Sequence, residues 1–395
     1  MIRVGVISDT HEDERATCAG KIILGPDGIN IRAADRRRCF QAAVQGAIDR
    51  EVDLILHAGD PFERPKPTPA EYVAVELCLD RAADHAPTIL VACNHGMNQS
   101  STEQHAIAPL AARHFSLFVC LRPDFLTLAT KAGLVQIAIL PFPQKSVLLA
   151  KDEYQGLSPE SVNQIIAEKL SAIIRGFRAR LDPKLPSILL THMMIKEAIF
   201  GEDQAAQFGM LAMSAEDFEG FDLIVAGDIH RHQIIGDRLV IPGSTDRCSF
   251  GEEHEAKGWC YIELDGPGAV PRVELVETPA RRYITWVPDN IRDEGLLHQA
   301  LMEYREDLKT CPVFRVKGQV SQEEYDALQP FLARWREIPT FSESLEVTRQ
   351  TRARSEAMTG ELSDVAAIKE WFAVNNRTEN LDELLEEHHR LMGAR

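Results

Sequence analysis

The chain of 395 residues lacks paired cysteines. Its eight cysteines are scattered, and none belongs to a Cys-x-x-Cys pair. A closed structural zinc site usually needs such pairs, so their absence argues against one. Scattered thiols in a chain of this length are typical of a cytosolic protein, and we expect them to be reduced and buried.

Long apolar runs and a leader segment are also missing. No run reaches the ~18 to 20 apolar residues that a membrane-spanning helix needs. The first residues enter an apolar strand directly, without the basic and apolar regions of a secretory signal. We therefore expect a cytoplasmic protein that has no membrane partner.

Positive charge is scarce as well. The chain has 43 lysines and arginines against 60 aspartates and glutamates, a formal net charge of −17. Proteins that bind duplex DNA usually present a basic surface, so this balance argues mildly against nucleic acid as a partner. The argument is weak because carboxylates that bind divalent ions count as uncompensated charge in such a sum.

The chain does contain short apolar runs rich in Val, Ile and Leu, separated by segments with helical periodicity. The runs cover residues 3–8, 53–57, 88–92, 135–140, 187–191 and 222–226, and the clearest helical segments cover 33–50 and 70–83. Continuous apolar strands that alternate with amphipathic helices predict a sheet covered on both faces. The fold class is therefore α/β, with a layered core.

A second unit is predicted after residue 279. It alternates strand and helix, with strands at 283–287, 313–317 and 345–347 and helices at 291–308 and 322–338. The predicted boundaries are a core at 1–279, a small α/β unit at 280–349, a linker at 350–362 and a helical tail at 363–392. Ser321 and Glu324 form a capping box, and Ser363 caps the first tail helix. The tail cannot bury its apolar face alone, so it packs on its own protein or on a partner.

Potential metal ligands follow five of the predicted core strands. They are Asp9 and His11, then Asp60, then Asn94 and His95, then His192, then Asp228, His230 and His232. Ligands collect at the carboxyl ends of strands in open α/β sheets. Each motif alone is also typical of a helix cap or a buried histidine, but the five together favour a metal centre.

The mixture of Asp, Asn and His side chains suits Mn²⁺, Fe²⁺ or Zn²⁺ rather than Ca²⁺. Two such ions need one bridging carboxylate, and Asp60, in the middle of the series, is the natural bridge. Paired ions lower the pKa of a water between them and neutralise phosphate oxygens during an in-line displacement. A centre of this kind hydrolyses phosphoesters.

The motifs resemble those of the calcineurin-like phosphoesterase family. The similar residues are Asp9-x-His11, Gly59-Asp60, Asn94-His95, His192 and Gly227-x-x-His230. A narrower resemblance links residues 241–253, followed by Lys257-Gly258-Trp259, to the nuclease subunit of SbcC–SbcD type DNA-repair complexes. The resemblance covers about residues 1–280, and for the second unit and the tail it is positional only.

The resemblance implies a four-layer α-β-β-α core with a small capping domain and a C-terminal helical tail. It also implies two divalent ions, Mn²⁺ above all, with Mg²⁺, Fe²⁺ or Zn²⁺ as alternatives. One ion would be held by Asp9, His11, Asp60 and His230, the other by Asp60, Asn94, His192 and residue 228. His95 would protonate the leaving oxygen or stabilise the transition state.

Three departures from the family pattern leave questions open. The family usually has Gly-His-x-His where this chain has Gly-Asp-Ile-His, so either Asp228 replaces the first histidine or His230 and His232 form the pair. Gly96 replaces an aspartate that follows the Asn-His motif, which leaves the orientation of His95 undetermined. Glu63 stands where some relatives carry a histidine.

The fold alone does not select the phosphoester. The subfamily stretch, the extra unit and the tail favour DNA, and Arg64, Lys66 and Arg247 are candidate DNA contacts. The resemblance also implies an SMC-like coiled-coil ATPase bound by the tail, and a homodimer formed near 70–83 and 105–113. Two alternatives are a small-substrate phosphatase or cyclic-nucleotide phosphodiesterase, and a non-catalytic scaffold that binds DNA or the ATPase.

Overall fold

The computed structural model describes residues 1–97, 105–143, 156–200, 211–308, 310–348, 364–374 and 380–392. Its strands, in chain order, are β1 (Ile2–Ile7), β2 (Leu54–His57), β3 (Thr88–Val91), β4 (Leu117–Cys120), β5 (Asp124–Thr130), β6 (Gly133–Leu140), β7 (Ser187–His192), β8 (Met194–Ile195), β9 (Ala212–Met213), β10 (Leu223–Gly227), β11 (Gln233–Ile235), β12 (Leu239–Ile241), β13 (Gly258–Leu264), β14 (Arg272–Glu277), β15 (Tyr283–Trp286), β16 (Val313–Ser321) and β17 (Phe341–Thr348). Its α-helices are α1 (Ile31–Asp49), α2 (Pro69–His85), α3 (Pro159–Arg178), α4 (Glu294–Glu306), α5 (Gln322–Trp335), α6 (Asp364–Val374) and α7 (Leu381–Met392).

Two six-stranded sheets form the centre of the molecule. The first has the strand order β14-β13-β1-β2-β3-β4, in which β1 to β4 run parallel. The second has the order β11-β12-β10-β7-β6-β5, in which β6, β7, β10 and β12 run parallel. Parallel neighbours end at the same edge of a sheet, so the residues that follow β1, β2 and β3, and those that follow β7 and β10, are brought together.

The apolar pattern of the strands explains the layers. Val4, Leu56, Ile137, Ile188 and Val225 belong to one buried cluster between the two sheets. A second cluster joins the first sheet to α1 and α2, and a third joins the second sheet to α3. Strands with both faces buried must be apolar throughout, as the sequence is. The four-layer α-β-β-α core that the family resemblance implies is confirmed.

The second unit is a three-stranded parallel sheet in the order β15-β16-β17, with α4 and α5 between successive strands. Its own core centres on Trp335, which is fully buried against Trp286 and Phe341. Ser321 accepts a hydrogen bond from Glu324 N at 3.2 Å, which forms the predicted capping box of α5.

The predicted elements differ from the structure mainly at their ends. The helix predicted at 291–308 begins at Glu294, after a 3-10 turn at Pro288–Arg292, and the strand predicted at 345–347 extends over Phe341–Thr348. The helix α3 and the strands β4, β5, β8, β9 and β11 were not predicted from the sequence. The linker at 350–362 and the cap at Ser363 lie outside the described residues, whereas both tail helices are present. Among the described residues, no helix is long and apolar enough to cross a bilayer.

Candidate metal centre

Four of the predicted ligands lie on strained backbone just beyond the strand ends. Asp9, His11, Asp60 and Asp228 have φ values of 50°, 46°, 48° and 87°. Positive φ is uncommon for residues other than glycine and concentrates at functional sites, because the surrounding structure must hold it in place. Two backbone hydrogen bonds join the turns after β1 and β2, Asp9 N to Gly59 O at 3.1 Å and His11 N to Asp60 O at 3.0 Å.

Gly59 allows the second sheet to approach the first. Its φ is 106°, and a Cβ built there would lie 2.2 Å from His192 Nδ1. No larger side chain fits unless His192 moves. The glycine therefore sets the distance at which His192 meets Asp60.

Four side chains converge at the first ion position. His11 Nε2 lies 3.0 Å from His230 Nε2, 3.8 Å from Asp9 Oδ1 and 3.9 Å from Asp60 Oδ2. Asp9, His11 and His230 offer ligand atoms that all lie within 4.8 Å of one another. Two imidazoles and two carboxylates around one small volume are a donor set for a borderline divalent ion.

The second position shares Asp60 with the first. His192 Nε2 lies 3.3 Å from Asp60 Oδ2, 3.6 Å from Asp228 Oδ1 and 3.2 Å from Asn94 Oδ1. Asn94 Nδ2 donates to Asp228 Oδ1 at 2.9 Å. The Asp60 carboxylate thus lies beside both groups, as a bridging ligand must, and Asp9 also offers a ligand atom within 4.8 Å of those of Asp60 and His192.

A buried carboxylate oxygen that lacks a hydrogen-bond partner among the described residues supports the binding of ions at this site. Asp60 is 1% exposed, and its Oδ1 is buried without a hydrogen-bond partner in the described structure. A buried carboxylate oxygen without a partner is costly unless a ligand completes its environment. The residues present fit two divalent ions.

The orientation of the histidine rings is also suitable for binding ions. His192 Nδ1 lies 2.7 Å from Ala58 O, and His230 Nδ1 lies 2.7 Å from Glu252 Oε1. A carbonyl can only accept, so Nδ1 of His192 carries the proton and Nε2 faces the cluster. Outer partners of this kind fix the ring and the tautomer of metal-ligating histidines.

Electrostatics favour positive charge at the site. Burial lowers the pKa of His192, but Asp60, Asp228 and Asp9 outweigh burial and raise this pKa to about 10. Burial raises the pKa of Asp60, but His192, His95 and His11 outweigh it and hold the pKa well below its usual range. The Asp60 carboxylate therefore stays ionised and attracts a cation, either an imidazolium or a metal ion.

The structure shows how His95 is oriented without an aspartate at position 96. His95 Nδ1 donates to Glu63 O at 2.9 Å, which leaves Nε2 on the side of Asp60, 3.9 Å from its Oδ2. A Cβ at Gly96 would lie 2.1 Å from His105 Cε1, so the His105 ring fills the space where a longer side chain would stand. Burial lowers the pKa of His95, but Asp60 and Glu63 raise it more, and the net shift is upward.

Asp228, rather than His232, lies with the other ligands. His232 Nδ1 pairs with Ile241 O at 2.9 Å, whereas Asp228 Oδ1 lies 3.6 Å from His192 Nε2 and 2.9 Å from Asn94 Nδ2. Of the two registers left open by the sequence, this geometry favours a carboxylate ligand at position 228.

Two of the three basic residues predicted to contact DNA already pair with other residues of the chain. Arg64 pairs with Asp13 at 2.8 Å, and Arg247 donates to Glu255 O at 2.7 Å, whereas Lys66 is exposed. Their contact with DNA stays a prediction.

Two acidic residues of the site were not identified as such from sequence. Glu63 Oε2 lies 3.1 Å from His11 Nδ1, and Glu252 holds His230. The sequence carried two relevant signals without indicating a contact: Glu63 stands where some relatives carry a histidine, and the Phe250-Gly251-Glu252-Glu253 stretch marked the subfamily.

Comparison with known proteins agrees with this geometry. The model of the family described as calcineurin-like phosphoesterase matches residues 2–232. A DNA double-strand break repair protein Mre11 of Sulfurisphaera tokodaii is 25% identical over 324 residues, 78% of this chain and 71% of that protein. The protein of the same name from Aeropyrum pernix is 23% identical over 286 residues, 70% of this chain and 63% of that protein.

Solved structures are similar to this chain at a lower sequence identity. A dimetal phosphatase from Danio rerio covers 69% of this chain and 98% of its own, with 8% identity and a TM-score of 0.41. A purple acid phosphatase from yellow lupin (Lupinus luteus) seeds covers 70% of this chain and 54% of its own, with 12% identity and a TM-score of 0.38. The strand order and the family match, rather than these scores, carry the fold assignment.

Proposed function

This chain belongs to the calcineurin-like phosphoesterase family, and from that membership we propose that it is a two-metal nuclease acting on DNA. It is a metal-dependent phosphoesterase. The observation that supports the two-metal chemistry is the position of Asp60, whose carboxylate is shared by both groups of ligands.

DNA as the substrate is supported by the curated relatives. Both carry the name of a DNA double-strand break repair protein. The longer alignment covers 78% of this chain and so extends beyond the part that the family model matches, which ends at residue 232. A similarity that continues past the common phosphoesterase motifs favours the relatives' substrate over that of a small-molecule phosphatase.

Each part of the site has a role in this proposal. When bound, the two divalent ions, which we expect to be Mn²⁺, would supply Lewis acidity and activate a water. Asp9, His11, Asp60 and His230 would hold one ion, and Asp60, Asn94, His192 and Asp228 the other. His95, fixed at Nδ1 by Glu63 O, presents Nε2 as the proton donor to the leaving oxygen.

Two partners belong to the proposal. We expect an SMC-like ATPase to bind the tail, because α7 leaves Leu384 47% exposed on a helix whose other face is charged. We expect a homodimer through α2, where Val73 and Leu77, one helical turn apart, are 53% and 64% exposed.

The proposal is tested by incubating purified chain with linear duplex and single-stranded DNA, in Mn²⁺, Mg²⁺ or EDTA. The wild type and a His298→Ala control, altered on the exposed side of α4, should cleave DNA in Mn²⁺. Asp60→Ala and EDTA should abolish cleavage. Hydrolysis of a chromogenic phosphodiester without any DNA cleavage would instead support a small-substrate enzyme. Failure on both substrates, with an ATPase partner added, would support the scaffold.

A further inference from the structure

A buried acidic residue outside the ligand set contacts the ligand His230. Glu252 lies in a 3-10 turn, Phe250–Glu252, and is 5% exposed. Its Oε1 lies 2.7 Å from His230 Nδ1, on the opposite side of the ring from Nε2, which faces His11. Glu252 is therefore placed to orient His230 and to increase the basicity of its ligand atom.

The second oxygen of Glu252 is held in place. Oε2 accepts from Cys248 N at 2.9 Å and pairs with Lys257 Nζ at 2.9 Å. Lys257 is 2% exposed, and its ammonium group also donates to His230 O at 3.0 Å and to Ser244 Oγ at 2.9 Å. A lysine this buried keeps its charge only with such partners, so the arrangement fixes the carboxylate firmly.

A separate ion site at this position is unfavourable. His230, Cys248 and Glu252 offer ligand atoms within 4.8 Å of one another. However, the Lys257 ammonium group lies 2.9 Å from Glu252, and Arg36 Nη2 lies 3.7 Å from Cys248 Sγ. Two cations beside the group oppose a further divalent ion, so the carboxylate acts through the imidazole instead.

We propose that Glu252, held by Lys257, is a positioning residue that sets the affinity of the ion site containing His230. The inference rests on the proposed two-ion centre and goes beyond it, because it assigns a role to a residue that touches neither ion nor substrate. It also explains the Phe-Gly-Glu and Lys-Gly stretches of the sequence, since both supply parts of this support.

The test compares Glu252→Gln with Glu255→Gln. Glu255 pairs with the same lysine at 2.8 Å and its side chain is similarly buried, but Glu252 and not Glu255 is the carboxylate that pairs with His230, so Glu255 is a matched control. Mn²⁺ stoichiometry and dissociation constants are measured by calorimetry. We expect the wild type and Glu255→Gln to bind two ions, and Glu252→Gln to weaken one of them by about 10- to 100-fold.

A spectroscopic measurement separates positioning from loss of structure. In the Zn²⁺-loaded wild type, the Nδ1–H proton of His230 should give a slowly exchanging resonance that Glu252→Gln loses and Glu255→Gln keeps. If Glu252→Gln does not fold, the double variant Glu252→Gln with Lys257→Met removes the buried ion pair as a whole and takes its place.

Equal Mn²⁺ affinities in the wild type and Glu252→Gln, or an equal loss in Glu255→Gln, would overturn the inference while leaving the two-metal function intact. A wild-type chain that binds no Mn²⁺ would overturn the proposed function itself, and this inference with it.

Discussion

At the scale of single residues, the site is built from side chains that each have one fixed orientation. His192 is held by Ala58 O, His95 by Glu63 O and His230 by Glu252. In each case the outer partner contacts Nδ1, so Nε2 is directed towards the cluster of carboxylates. Fixing three imidazoles in advance reduces the ordering that ion or substrate binding would otherwise require.

The first prediction concerns His95. Its Nε2 faces the cluster, yet His95 is not needed to complete either set of four proposed ligands. His95→Ala should therefore lower kcat about 100- to 10,000-fold, the usual contribution of a general acid, while both Mn²⁺ ions still bind. Single-turnover cleavage and calorimetry of the same preparation check this, and loss of an ion in the variant would show that His95 is a ligand instead.

The second prediction concerns the thiols. Seven of the eight cysteines are buried, and only Cys248 is partly exposed. Burial raises the pKa of Cys18 to about 11 and those of Cys78, Cys120 and Cys260 to about 12, which suppresses their reactive thiolate forms.

A thiol reagent such as Ellman's reagent should consequently modify one group rapidly in the native chain and eight after unfolding in guanidinium. Cys248→Ser should remove the rapid phase. Rapid modification of two or more groups in the native wild type would contradict the burial seen here.

At the scale of elements, the ends of parallel strands bring the ligands together. β1 and β2 place Asp9 and Asp60 side by side, and β7 and β10 place His192 beside Asp228 in the facing sheet. The two halves of the centre thus belong to different sheets. Their separation depends on how closely the sheets approach at Gly59.

The third prediction tests that approach with Gly59→Ala. The new Cβ would stand 2.2 Å from His192 Nδ1, so His192 must move and the second ion should be lost. Gly133→Ala is the matched control, because Gly133 also has positive φ, 129°, but nothing lies within 4 Å of its Cβ position.

Both variants should lose about 1–3 kcal/mol of unfolding free energy from backbone strain. Only Gly59→Ala should lose Mn²⁺ binding and activity. Calorimetry and chemical denaturation measure the two effects separately, and full Mn²⁺ occupancy in Gly59→Ala would show that the sheets can adjust.

At the scale of the whole molecule, a buried ionic cluster joins the second unit to the core. Asp35 on α1 receives Arg281 Nη2 at 3.0 Å, Arg32 Nη1 at 2.5 Å and Arg38 Nη2 at 2.7 Å. Arg281 also donates to Leu308 O at 3.1 Å within the second unit. The side chains of Asp35 and Arg281 are both fully buried, so this contact resists solvent and salt.

The turn that supports His230 takes part in the same junction. Glu253, the residue after Glu252, accepts from Thr285 N on β15 at 2.8 Å. Arg315 of β16 lies over the Phe250 ring at 4.2 Å from its centroid. The second unit and the ion site therefore share one structural support.

The fourth prediction is that Arg281→Met separates the unfolding of the two units. The variant should lose about 1–3 kcal/mol of unfolding free energy, because the carbonyl oxygens of Leu308 and Cys311 lose their donor while Asp35 keeps Arg32 and Arg38. We expect a single calorimetric transition in the wild type and two in the variant.

Arg282→Met is the control, since Arg282 pairs with Glu303 at a side-chain exposure of 60% and such pairs contribute about 1 kcal/mol or less. A single transition in both variants would mean that apolar contacts alone couple the units.

The sequence by itself determined the layered α/β core, the strands that precede the ligands and the order of the ligands along the chain, because apolar periodicity and strand-end chemistry are local properties. It did not determine whether Asp228 or His232 joins the cluster, since a shift of register leaves composition unchanged and only the contact with Asn94 and His192 distinguishes them. The hydrogen-bond partners of the histidines could not be predicted from the sequence either. Glu252 is 22 residues from His230, and the carbonyl that orients His95 is 32 residues away. The contact of Glu63 with His95 is produced by the pairing of β2 with β3 in one sheet, and that of Glu252 with His230 by the packing of one sheet on the other. Local pattern encodes neither.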